Sequence, residues 1–142
     1  MTLQWSGDFE TGIEEIDLHH ESIVEKLNEL LTAFESGEEI STIRRRIILF
    51  ESFLTSHFVL EEVLQKKFAY PDYPSHYAQH VQLSKDFSDA MRPVEQEGVS
   101  SHVLMDVKDF IMVWWESYIL HFEFFQYLVK SFPVEQGMAV IL

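Results

Sequence analysis

Two pairs of residues in this chain have spacings that could do chemistry. His57 precedes Glu61 by four residues, and His76 precedes His80 by four. On a helix that interval puts both members of a pair on one face, a turn apart. A neutral imidazole nitrogen is a good ligand for iron, zinc or copper. His20 and His121 add two further imidazoles from other parts of the chain. Cysteine is absent, which removes disulfides, thiolate zinc sites and cysteine nucleophiles together. The chemistry on offer is therefore metal ligation by nitrogen and carboxylate oxygen.

Such residues need rigid elements to bring them together. Pro71, Pro74 and Pro93, with Gly12, Gly37 and Gly98, punctuate the chain and leave four long segments between them. The pattern predicts helices at about 17–36, 40–68, 74–92 and 100–131. No segment alternates with period two between turn signals, so no sheet is expected.

The second segment has the cleanest periodicity: Ile43, Ile47, Phe50, Leu54, His57, Glu61, Leu64 and Phe68 recur at steps of four and three. The first carries Ile16, His20, Ile23, Leu27, Leu31 and Phe34 on one face. The third carries Tyr73, His76, His80, Leu83 and Phe87, and the fourth Val103, Val107, Phe110, Trp114, Tyr118, His121, Phe125 and Leu128. Four amphipathic helices with short connections imply one all-α domain over 1–142, an up-down-up-down four-helix bundle. Residues 1–15 form an N-terminal arm. Residues 132–142, ending in Met-Ala-Val-Ile-Leu, form a tail apolar enough to pack on the bundle, with a protein partner as the other use for it.

Each stripe thus carries histidine among apolar residues. A buried imidazole costs free energy unless both ring nitrogens find partners. For one inward histidine a hydrogen bond to a carbonyl or carboxylate suffices. Five would need a large set of buried acceptors, and the sequence offers few. Metal satisfies them together. Five imidazoles are too many for one tetrahedral zinc and suit two metals with a carboxylate between them.

Bulk composition narrows the partners. At 142 residues and 46% hydrophobic, twelve of them Phe, the chain can build one real core. Its formal net charge of −14 repels phosphate backbones and anionic membrane surfaces, so neither nucleic acid nor membrane is an expected partner. The N-terminal residues have neither the basic start nor the apolar run of a signal peptide. Phe110 to Phe125, the most apolar stretch, is broken by Glu116, His121 and Glu123. A cytoplasmic protein is expected, and the lack of cysteine fits a reducing compartment.

These residues resemble the bacterial hemerythrins over nearly the whole chain. Trp5, Thr11-Gly12-Ile13 and Ile16-Asp17 leading to His20 look like that family's entry to its first helix. His57-Phe58-Val59-Leu60-Glu61-Glu62 matches its His-Phe-x-x-Glu-Glu motif. Tyr70-Pro71 followed by His76-x-x-x-His80 matches the next block, and Trp115 to His121 looks like the last. The resemblance implies two iron ions with a solvent-derived oxo or hydroxo bridge. His76, His80 and His121 would bind one ion, and His20 and His57 the other, which keeps an open position for dioxygen. Glu61 would bridge the two.

One position departs from the family. Gln126 stands where the pattern has a second bridging Asp, five residues after the last histidine. Asp17 matches a family position outside the ligand set. Glu123 points to the far side of its helix, and Glu116 would have to reach back from another turn. His19 and His102 read as surface residues, and Glu62 as a surface or supporting group. Phe53, Phe58, Trp114, Phe122 and Phe125 read as core that could also line an oxygen pocket.

The leading functional reading is a non-heme diiron protein that binds dioxygen, or a related small ligand, reversibly for storage, delivery or sensing, and is not an enzyme. The alternatives are a peroxidase-like or oxidant-scavenging diiron enzyme, and an iron-binding bundle with a degenerate site.

Overall fold

Each of the four segments has an apolar stripe that is stable only against another such stripe. In the structure, a computed structural model that describes residues 3–11, 14–119, 127, 130 and 131, they form α1 (Glu14–Glu35), α2 (Ile40–Lys67), α3 (Tyr73–Glu97) and α4 (Ser101–Ile119). α1 packs on α2, α2 on α3, α3 on α4, and α4 closes back on α1. The result is an all-α four-helix bundle with no strand among the described residues. No helix among them is long and apolar enough to cross a membrane.

The links show how local chemistry turns the chain. After α1, Gly37 takes φ 69°, so Glu38 can return its N–H to the Ala33 carbonyl at 3.3 Å. After α2 the same device uses Ala69, at φ 51°. Its N–H reaches the Lys66 carbonyl at 3.2 Å, and that of Tyr70 the Gln65 carbonyl at 2.9 Å. This turn carries Tyr70 inward, where it is buried.

Two sequence expectations need correction. The third helix was expected to stop at 92, but α3 runs through Pro93 to Glu97. A proline gives up one helix hydrogen bond and crowds the carbonyl four residues back. Met91 and Val94, each buried, hold the helix to the core on both sides of that defect. On α4, Phe110 is only half-buried, and Ile111 takes the core position between Val107 and Trp114. A step of four from Val107 keeps the stripe facing inward; a step of three carries Phe110 to its edge. His121, Phe125 and Leu128, expected farther along that stripe, lie outside the described residues, as do Phe122, Glu123, Gln126 and the tail.

The interior has two apolar regions. The larger includes Ile23, Leu27, Ile47, Phe50, Leu54, Leu83, Phe87, Ile111 and Trp114. The smaller joins Ile16, Leu64 and Tyr70, with Tyr73 and Tyr127 packed against it. His20 follows Ile16 on α1, and His57 and Glu61 lie between Leu54 and Leu64 on α2. The buried polar residues therefore occupy the layer between the two apolar regions.

The arm is tied down at both ends. The backbone of Leu3 and the side-chain amide of Asn28 exchange two hydrogen bonds, at 2.7 and 2.9 Å. The backbone N–H and hydroxyl of Thr11 both donate to Asp17 Oδ1, at 2.7 and 2.8 Å. Asp17 thus holds the arm rather than entering the site. Between these ties, Trp5 lies against His20 with ring centroids 6.3 Å apart.

Candidate metal centre

Glu61 is the hub of the polar layer. It is 4% exposed, and its two oxygens face different histidines. Oε1 lies 2.7 Å from Nε2 of His57 and 3.6 Å from Nε2 of His20. Oε2 lies 3.0 Å from Nε2 of His80. His76, on the turn before His80, places its ring centroid 4.6 Å from that of His80. Two triads result, His20, His57 and Glu61, and Glu61, His76 and His80. Within each, the donor atoms lie within 4.8 Å of one another, and all five residues are buried.

This geometry fits metal. Each triad offers two imidazole nitrogens and one carboxylate oxygen, and the shared carboxylate has one oxygen for each. A buried cluster of four imidazoles and one carboxylate has many lone pairs and few acidic hydrogens, which a cation satisfies directly.

The electrostatics without metal follow from the same contacts. Burial opposes ionisation of Glu61, but the charge of His57 and hydrogen bonds from His20, His57 and His80 hold its carboxyl well below the usual value. Burial likewise opposes protonation of His80, yet its bonds to Glu61 and Glu62 leave its pKa raised.

Three of the rings are also held from behind. Glu62 Oε1 lies 3.0 Å from Nδ1 of His80. The fully buried side-chain amide of Gln65 lies 2.9 Å from Nδ1 of His76. Its Oε1 is buried without a hydrogen-bond partner among the described residues, so a half-turn of the amide can present an acceptor to His76. Nδ1 of His19 lies 3.4 Å from Nδ1 of His57. Aromatic rings complete the walls: Phe58 stacks on His80 with centroids 4.0 Å apart, and Tyr70 meets His76 at 6.1 Å.

The structure therefore brings together His20, His57, Glu61, His76 and His80, while His121 and Gln126 fall outside the described residues. His102 is exposed beside Asp106, as expected. Glu116 is exposed and, among the described residues, joins neither triad, and Phe53 is half-buried, packed against the core with Lys26 over its ring. His19 corrects its surface reading: it is half-buried against His57, and that burial, with its histidine neighbours, lowers its pKa. Gln65 was missed, although its place four residues after Glu61 was a usable signal. Nothing local to His19 marked its contact, which depends on how α1 lies against α2.

The comparisons with known proteins agree with this geometry. The model of the hemerythrin HHE cation binding domain matches residues 11–123. Bacteriohemerythrin from Pseudomonas aeruginosa (strain UCBPP-PA14) is 28% identical over 117 residues, covering 73% of this chain and 76% of that protein. Bacteriohemerythrin from Stenotrophomonas maltophilia (strain R551-3) is 27% identical over the same shares. No solved structure gives a significant match. With its buried histidine–carboxylate cluster inside the matched span, the chain belongs to the hemerythrin family.

Proposed function

We propose that this protein holds two iron ions and binds dioxygen reversibly at them, in storage, delivery or sensing within the cytoplasm. The observation that carries the reading is the division of Glu61, with one oxygen toward His20 and His57 and the other toward His80. In this reading His76, His80 and His121 would hold one ion and His20 and His57 the other, with Glu61 offering a carboxylate oxygen to each. Gln126, at the family's Asp position, contributes at most a neutral carbonyl oxygen.

A ferrous pair, when bound, supplies the electron density that dioxygen takes up and returns. The chain's own residues make that exchange orderly. Glu61 offsets positive charge that the imidazoles cannot. Glu62 and Gln65 orient the rings in front of them. Ile16, Leu64 and Tyr70 on one side and Leu54 and Leu83 on the other shield the layer from water.

The test is anaerobic loading with ferrous iron, followed by cycling between argon and air. Two irons per chain and a visible band that comes and goes with air are expected. Fewer than two irons, or a band that forms once and never reverses, would overturn the reading. The oxidant-scavenging alternative rests on the missing carboxylate at Gln126 and requires turnover of hydrogen peroxide with an added electron donor.

A further inference from the structure

A neutral imidazole has one N–H and one lone pair. A histidine that ligates through Nε2 must carry its hydrogen on Nδ1, and the group Nδ1 faces decides how firmly that tautomer is held. His57 turns Nε2 toward Glu61 and Nδ1 toward His19. The two rings lie at 52° with centroids 5.5 Å apart. His20, the residue after His19, belongs to the same triad as His57. One turn of α1 thus supplies a donor to that triad and a partner for the outer nitrogen of the donor beside it.

We propose that His19 is a positioning residue: its Nδ1 accepts the Nδ1 hydrogen of His57 and holds Nε2 of His57 free for the metal shared with His20 and Glu61. The inference rests on the two-metal reading above. It goes beyond that reading by assigning the group that fixes the tautomer of one ligand. His80 is backed by a carboxylate at 3.0 Å, a strong acceptor that raises the basicity of the ring. His57 is backed by a neutral imidazole at 3.4 Å, long for a hydrogen bond. His57 thus has a weaker acceptor behind it than His80 has, and that acceptor is residue 19.

The test compares the full-length wild type with His19→Leu and His19→Gln, each titrated anaerobically with ferrous iron against a chelator. Leucine offers no acceptor, and the glutamine carbonyl restores one. In His19→Leu one iron should bind as in the wild type and the other about tenfold to a hundredfold more weakly, the range seen when such supports are removed. His19→Gln should recover most of that loss. Nitrogen NMR of the zinc-loaded wild type gives a readout that does not depend on either variant folding, and should find Nδ1 of His19 unprotonated, its own hydrogen on Nε2, and the His57 Nδ1 hydrogen slow to exchange. Both irons held as tightly in His19→Leu as in the wild type, no recovery in His19→Gln, or a hydrogen on Nδ1 of His19 would overturn the role of His19 and leave the two-metal reading intact. A wild type that binds fewer than two irons would instead remove the reading beneath it.

Discussion

Glu62 places Oε1 3.0 Å from Nδ1 of His80. Its chain neighbour Glu61 reaches Nε2 of the same ring, also at 3.0 Å. Two consecutive residues of α2 therefore grip both nitrogens of one imidazole from α3. The ring can neither rotate nor change tautomer without losing a charge-assisted bond. Removing the outer carboxylate in Glu62→Ala should weaken metal binding by about tenfold to a hundredfold. Glu62→Gln, which keeps a neutral acceptor, should lose less. Chelator competition measures both, and equal affinity in all three proteins would show that Glu62 does not act through His80.

Metal uptake should depend on pH through His80. Its bonds to Glu61 and Glu62 raise its folded pKa above the ordinary 6.5. Below the raised value the ring holds a proton that a metal must displace, so affinity should fall as pH drops through it, with protons released on binding. Stability of the metal-free protein should move the other way. The contribution of His80 is fully present below 6.5 and is lost as pH rises through the raised folded value. Glu61, with its folded pKa lowered, contributes above 4.5 and loses that contribution as pH falls through the lower value. Affinity flat from pH 8 down to about pH 5, with no proton release, would refute the coupling.

Ala69 is a non-glycine residue in the left-handed region, with φ 51°. The position costs alanine about 1–2 kcal/mol, partly offset in glycine by the entropy of its freer unfolded chain. Ala69→Gly should stabilise the metal-free protein by about 0.5–1 kcal/mol, a rise of a few degrees in Tm. A lower Tm would mean that the alanine methyl contributes more than the backbone conformation costs.

Phe87 is fully buried, with its ring 4.9 Å from Phe50 and 5.3 Å from Trp114. Phe87→Ala should leave a cavity away from the ligands and cost about 3–5 kcal/mol. Denaturant titration measures it. A loss under about 1 kcal/mol would show that the core there collapses without penalty.

Gln126 has the most direct chemical test. An amide is neutral and offers one good ligand atom, whereas a carboxylate can bridge with two charged oxygens. Less negative charge at the site favours ferrous over ferric iron. Gln126→Asp should therefore tighten iron binding, lower the reduction potential and shift the optical spectrum. If all three stay unchanged, residue 126 does not touch the metals.

The intervals in the sequence already carried the helices and the histidines they turn inward. A step of four from His57 to Glu61, or from His76 to His80, is a property of one helix and is legible without a partner. So was the apolar stripe around each pair, since burial is the only stable fate for such a face. What stood outside each stripe was not legible. His19 looks solvated on α1 alone, and only the approach of α2 sets its ring against His57. The division of the two Glu61 oxygens between His57 and His80 likewise needs α2 and α3 placed at a particular distance and rotation. Helix geometry relates residues three and four apart. Which atom of an imidazole finds which partner on another helix depends on how the side chains interlock, and that exists only once the bundle has closed.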